Sequence, residues 1–226
     1  MHRTRFSTFA VVLIVLTCSV SPVQGQSSED RAIEGGGIFV PGWMGSPVSK
    51  DAKLSVEGDV LYVKTGPAMT YWNPENTVSG NYTVSAVFNE PAYMNINDHP
   101  HPYGIVIGGN DLGTDQQSYL YCAAYGNGKF IVRGMGPEPF QMNGRRPEDH
   151  EAVNKAAGQG KPVTQEIAVS VMDDKVECAI NGTVVASYDK SAVVGEGKLK
   201  TTDGVYGIRF AHNTDGMVTG LRAIKH

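Results

Sequence analysis

SYLYCAAY (residues 118–125), GNG (126–128) and KFIVRG (129–134) run directly into one another, and after a long gap QEIAVSVM (165–172), DD (173–174), KVECAI (175–180), NG (181–182) and TVVASYD (183–189) do the same. Each apolar run is short, and most are joined by glycine, asparagine or aspartate. Gly126-Asn127-Gly128, Asp173-Asp174 and Asn181-Gly182 suit tight hairpins, whose turns need positive φ, which Gly and Asn accept most cheaply. In Ile167-Val169-Val171 and Val176-Cys178-Ile180 every second residue is apolar, which places them on one sheet face. The pattern is that of an antiparallel β-protein with one apolar face per sheet.

Working outward, strands are expected near Ile38-Phe39-Val40, Val60–Val63, Tyr82–Phe88, Tyr103–Ile107, Val205–Phe210 and Met217–Ile224. With roughly ten strands and almost no helical periodicity, the class is all-β. Gly134 to Pro162 breaks the spacing with about thirty residues of Gly, Pro and charge, a length usually reserved for functional or disordered loops. Within it His150 to Ala157 has the composition for two helical turns ended by Gly158. The whole segment reads either as a lid over a sheet edge or as one wall of a binding groove.

The first 25 residues read as a signal peptide: Arg3 and Arg5 precede the apolar run Phe9 to Leu16, and Val23-Gln24-Gly25 offers cleavage before Gln26. The run is too short to anchor in a bilayer. Cys18 lacks the small preceding residue usual at a lipidated cysteine. Residues 26–34 are polar and expected to be flexible, and residues 35–226 form one domain. The destination is secreted or periplasmic.

Without Arg3 and Arg5 the 19 basic side chains become 17 against 23 acidic ones, a net charge of −6. That balance argues against nucleic acid or an anionic membrane as partner. Two cysteines remain, Cys122 and Cys178. An even count in an exported chain points to a disulfide. If their strands share a sheet without being neighbours, however, a bridge cannot reach. The balance tips slightly to two buried thiols.

Several blocks in order carry a family resemblance: Tyr103-Gly104-Ile105-Val106-Ile107-Gly108-Gly109-Asn110-Asp111-Leu112, Tyr119-Leu120-Tyr121, Gly126 to Arg133, Ala179 to Val185 and Gly204-Val205-Tyr206-Gly207-Ile208-Arg209. Over Gly35 to Ile224 the chain resembles the concanavalin A-like jelly roll of laminin-G-like and 3-keto-disaccharide hydrolase domains. The resemblance rests on turn glycines and core alternation. It implies a two-sheet antiparallel jelly-roll β-sandwich with a concave face that receives sugars or peptides, and transfers no activity by itself.

Glucanases of this superfamily carry Glu-x-Asp-x-x-Glu on a strand, because retaining hydrolysis needs two carboxyls about 5 Å apart. No strand here has that run. Glu148-Asp149-His150-Glu151 lies in the long loop, and Glu166 and Glu177 stand alone. His99-Pro100-His101-Pro102 puts two imidazoles at i, i+2, and His212 follows the late strand. A zinc site needs three or four ligands of fixed geometry, so His99 and His101 read first as decorating a proline-stiffened loop, and no metal is expected. Asn110-Asp111 and Asn213-Thr214-Asp215 give calcium thin support, so no cofactor is expected. There is no nucleophile elbow and no phosphate loop.

What remains is a set of binding-type residues. Tyr103, Tyr119 and Tyr121, with Trp43, Tyr71, Trp72 and Tyr93 near strand ends, offer aromatic faces for sugar C–H surfaces. Asn110, Asp111, Gln117, Arg133, Arg209, His212 and Asn213 supply directional hydrogen bonds close to them. Tyr119 and Tyr121 share a parity opposite to Leu120, Cys122 and Ala124, which places the two sets on opposite faces. The expected partner is a glycan or oligosaccharide held on the concave sheet without catalysis. The alternatives are a glycoside hydrolase of the 3-keto-disaccharide hydrolase type and a structural envelope or adhesion module.

Overall fold

A computed structural model describes residues 30–226. The signal peptide expected over residues 1–25, Cys18 included, and residues 26–29 lie outside the described residues. Two eight-stranded sheets pack face to face. The first orders its strands Gly37–Phe39, Lys53–Glu57, Val60–Lys64, Asp215–Lys225, Tyr82–Glu90, Val163–Val171, Lys175–Ile180 and Thr183–Asp189. The second runs Pro139–Gln141, Lys129–Met135, Ser118–Tyr125, Pro102–Asn110, Gly204–Phe210, Met69–Val78 and Met44–Gly45, with Glu148–Asp149 added beside Lys129–Met135. Gly37–Phe39 pairs in parallel with Lys53–Glu57, whereas the long central ladders are antiparallel. This is the two-sheet antiparallel jelly-roll β-sandwich that the resemblance implied.

The core lies between the sheets and is built by period-two alternation. Val84, Ala86, Phe88, Ile167, Val169, Val171, Val176 and Ile180 enter it from the first sheet, and Ile105, Ile107, Leu120, Ala124 and Phe210 from the second. Tyr103, Phe88 and Phe210 pack as a three-ring cluster, with Tyr103 stacked on each of the others at 5.8 and 5.7 Å and the two phenylalanines 6.0 Å apart. Asn181 and Gly182 have φ of 50° and 80°, as a tight hairpin turn demands. The Asn181 amide also donates to the Ala152 carbonyl (2.7 Å) and to Gln165 Oε1 (2.8 Å), so this turn pins the long segment to the first sheet.

Cys122 and Cys178 form a disulfide, with Cα atoms 6.0 Å apart, and the expectation of two buried thiols is corrected. The geometric objection assumed one sheet. Cys122 lies in the second sheet and Cys178 in the first, and both point inward across the core. Facing sheets bring opposed side chains together, where distant strands of one sheet cannot.

Besides the two- and three-residue fragments Met44–Gly45, Pro139–Gln141 and Glu148–Asp149, two longer strands escaped the sequence reading. Lys53–Glu57 is short and half polar. Met69–Val78 contains Pro74, which ordinarily argues against a strand interior. The register shows why proline fits: Trp72 pairs Gly207 and Thr77 pairs Val205, so residues 73–76 bulge opposite Tyr206. No ladder bond asks for the missing proline N–H.

The long segment after Gly134 is an edge cover. Pro139–Gln141 and Glu148–Asp149 both turn back to pair with Lys129–Met135, and Val153 is buried in the core. The helix expected over His150–Ala157 does not form, because tertiary partners take its backbone donors. Ala156 N donates to the Gly126 carbonyl (2.8 Å) and Asn154 N to Gln165 Oε1 (3.0 Å). The described part of the segment expected to be flexible is held as well, since Arg31 pairs with Asp215 and its Nε donates to the Thr65 carbonyl (3.1 Å).

The covalent tie between sheets predicts a clear stability effect. Closing a 56-residue separation removes unfolded-chain entropy worth about 4 kcal/mol, so Cys122→Ala with Cys178→Ala should lose about that much in denaturant unfolding. Protein produced without residues 1–25 and unfolded without reductant should leave no thiol for a labelling reagent. Labelling at both cysteines would disprove the bridge.

Candidate functional site

The second sheet has an outward face as well as a core face, and that face is not empty. From Ser118–Tyr125 it receives Tyr119, Tyr121, Ala123 and Tyr125. Lys129–Met135 adds Ile131 and Arg133, and Gly204–Phe210 adds Arg209. Ala123, Tyr125 and Ile131 form a small apolar cluster there with Tyr121 beside it, separate from the main core. Gly104 faces Arg209 across the ladder, and a Cβ at that glycine would run into the Cys122 carbonyl. The surface next to Arg209 is therefore bare backbone.

Arg209 is the centre of this face. One guanidinium nitrogen donates to Thr70 Oγ1 (2.8 Å) and to the Tyr119 hydroxyl (3.1 Å). Its carbon lies 5.1 Å from the Tyr121 ring centroid and 5.9 Å from that of Tyr119, within cation–π range. Burial works against its charge, but the tyrosine hydroxyls outweigh it and hold its pKa above the ordinary value. Tyr119 is buried and positions Arg209, whereas Tyr121 and Arg133 are half-exposed. Arg133 donates to the Arg145 carbonyl (2.9 Å), and its Nε is buried without a partner. Tyr121, Tyr125, Ile131, Arg133 and Arg209 line an open cleft of about 180 Å³ with Pro102, Ala123 and Ala211. Among the described residues two guanidinium groups line this cleft and no carboxylate does.

The other sequence candidates lie elsewhere. Tyr103 belongs to the core: its parity is that of Ile105 and Ile107, not that of the outward residues, which takes it out of the expected groove. Asn110, Asp111 and Gln117 sit at the far end of the sheet. There Asn110 donates to the Gly108 and Asp203 carbonyls (3.1 and 3.0 Å), Asp111 pairs with Lys200, and Gln117 Oε1 accepts from Gly113 N. Tyr71 is buried in the core, and Trp72 and Tyr93 are buried too.

His212 and Asn213 lie at the opposite end, past the Gly204–Phe210 strand. The two acid-bearing segments weighed for calcium therefore stand at opposite ends of one sheet and cannot share an ion. Asn213, at φ 49°, accepts Arg31 N on Oδ1 (3.0 Å) and donates to Asn97 Oδ1 (3.2 Å). It ties the loop that carries His99 and His101 to the turn that carries His212. The three rings pack together, with centroids 4.5 Å apart for His99–His101 and 3.9 Å for His101–His212. Burial, helped by charge on His212 and His99, pushes His101 down to about 4.

Glu90 was missed by the sequence reading. It closes the strand Tyr82–Glu90 on the inward parity of Tyr82, Val84, Ala86 and Phe88, so an acid at that position was bound to be buried. It lines a cavity of about 60 Å³ with Asn97, His99 and His101, among others. Burial pushes its pKa up to about 7, partly offset by the Met94 N–H. An acid with a raised folded-state pKa stabilises the fold fully below its unfolded pKa and ceases to do so as pH rises through the folded value. With the ordinary 4.5 raised to about 7, ionising Glu90 should withdraw on the order of 3 kcal/mol between about pH 4.5 and 7.5. Glu90→Gln should flatten that part of the stability–pH curve and raise the melting temperature at about pH 8. An unchanged curve would place Glu90 in water.

No family model and no curated protein matches this sequence. Solved structures do match its fold. The carbohydrate-binding module CBM66 from Bacillus subtilis superposes with a TM-score of 0.56 at 4% identity, over 82% of this chain and 97% of its own. An endo-β-1,3-glucanase from Pyrococcus furiosus gives 0.52 at 13% identity, covering 76% of this chain and 78% of its own. A protein of unknown function with a galectin-like fold from Bacillus subtilis gives 0.51 at 12% identity, covering 81% and 90%. At such identities the likeness is one of fold, and it is the fold that the sequence blocks resembled.

Proposed function

We propose that this chain is an exported carbohydrate-binding β-sandwich that holds its glycan across the outward face of the second sheet, over Tyr121, Arg133 and Arg209, without chemistry of its own. The observation that carries this reading is the open cleft in which a half-exposed tyrosine ring lies beside two guanidinium groups. An aromatic face receives the C–H surface of a sugar ring, and a guanidinium fork donates paired hydrogen bonds to hydroxyl or carboxylate oxygens. The cleft is smaller than the several hundred Å³ of pockets that engulf a ligand, so it suits one residue of a chain lying along the surface. With two cations and no acid in its described lining, it favours an acidic sugar, one bearing a carboxylate or sulfate. That the folds it superposes on include a carbohydrate-binding module and a glucanase supports the general class.

The glycoside-cleaving reading gains from Glu90, whose raised pKa suits a general acid near neutral pH. Two observations weigh against it. The cavity beside Glu90, about 60 Å³, is too small for a sugar ring, and the arginine cleft has no carboxylate among its described lining residues.

Binding of uronate-bearing or sulfated oligosaccharides to the mature protein, measured by calorimetry after a glycan-array screen, tests the proposal. Tyr121→Ala and Arg133→Ala should each cost about 1–3 kcal/mol of affinity, with melting temperatures within a few degrees of the parent. Affinity should also fall as salt is raised, because part of it is ionic. Retention of neutral glycans only, or equal binding by both variants, would sink the assignment.

A further inference from the structure

We infer that His99, His101 and His212 form a binding site for a divalent transition-metal ion, best matched by zinc. One ring nitrogen from each lies within 4.8 Å of the other two. Tetrahedral zinc at about 2.0–2.1 Å from imidazole nitrogen holds its ligands about 3.3 Å apart. The Nε2 atoms of His99 and His101 already stand 3.0 Å apart, and ring adjustments bring the third nitrogen in.

The outer contacts point the same way. His99 Nδ1 lies 2.8 Å from Asp98 Oδ1, His101 Nδ1 3.0 Å from the Asn97 amide, and His212 Nδ1 3.6 Å from Asp30 Oδ1. The buried His212 Nδ1 has no hydrogen-bond partner among the described residues, with the Asp30 carboxylate 3.6 Å away. In His99 and His101 Nδ1 is turned to a polar side chain, which leaves Nε2 to converge. That division of labour, with carboxylates behind the imidazoles, is how metal-binding histidines are oriented. In the metal-free protein His99 Nδ1–H donates to Asp98, so His101 Nε2–H donates to His99 Nε2; a metal ion would take that position and the His101 proton would move to its Nδ1. Asn97 must then turn its carbonyl oxygen to His101 Nδ1 by a half-turn of its amide, giving up the hydrogen bond it accepts from the Asn213 amide.

The site is held by its scaffold. Pro100 and Pro102 stiffen the loop from one side. The turn around His212 is fixed by buried Thr65, whose Oγ1 donates to the Ala211 carbonyl (2.7 Å) and accepts Thr214 N (2.8 Å). The His99 side chain keeps 47% of its surface exposed, which gives an ion a route in. Three neutral nitrogen donors select zinc, copper or nickel over calcium or magnesium, which want oxygen. Three protein ligands leave a fourth position for water or a ligand oxygen.

Untagged mature protein, stripped of metal, should bind one zinc ion per chain when titrated with zinc alone in a calorimeter. Cobalt should give the visible absorption of a four-coordinate site. His99→Ala and His212→Ala should each weaken zinc at least tenfold, and Asp98→Asn about 10-fold, while the metal-free melting temperature stays put. His99 is exposed enough that its variant carries the test even if His212→Ala fails to fold. Calcium should not displace zinc. Absence of zinc binding, binding that His99→Ala leaves intact, or displacement by calcium would each overturn the inference.

Discussion

The bridge from Cys122 to Cys178 decides more than stability. Strand side chains alternate strictly, so a one-residue slip in Ser118–Tyr125 would exchange its two faces. With Cys122 tied to the opposite sheet, that slip is closed off. Leu120 and Ala124 must then follow Cys122 inward, and Tyr119, Tyr121, Ala123 and Tyr125 must face outward. The arginine cleft is the direct product of this choice. Each inward residue of the central strand has an outward neighbour that builds the cleft.

The outward face also shows how an acidic protein keeps a cationic spot. Arg209 sits among hydroxyls and aromatic rings rather than carboxylates, so its charge is solvated by dipoles and stays available to a ligand. A neighbouring acid would have neutralised it at short range and lost that availability. Arg133 is treated similarly, with a backbone carbonyl as its partner.

Much of the fold was legible because it is written in local periodicity. Ile167-Val169-Val171 and Asn181-Gly182 need no distant information, and both sit where alternation and turn chemistry place them. Parity also separated Tyr119 and Tyr121 from Leu120 and Cys122. The same rule, carried further, would have found Tyr125 outward, Tyr103 inward and Glu90 buried. What stayed hidden depends on which strands face one another. Cys122 and Cys178 meet only because their strands are in opposite sheets, and His212 joins His99 and His101 only because their strands are neighbours. The strand through Pro74 was hidden for a different reason: a bulge in its partner's register excuses a residue that strands usually reject. The helix expected over His150–Ala157 failed because side chains and carbonyls from three other segments outbid the local pattern.

The edge cover has a consequence for how copies of this chain behave together. A sandwich has four open margins, each a row of unpaired backbone groups able to recruit a strand from another molecule. Here three of them end in fragments: Gly37–Phe39, Pro139–Gln141 and the two-residue Met44–Gly45. The return of the chain along Lys129–Met135 is what shortens the second of these, replacing a seven-residue margin with a three-residue one. Among the described strands only Thr183–Asp189 offers a full-length row, and the ladder behind it is broken by a bulge at Cys178/Ala179 that twists it out of plane. A chain with margins of this kind resists polymerising into continuous sheet, even at concentrations where a long flat edge would not.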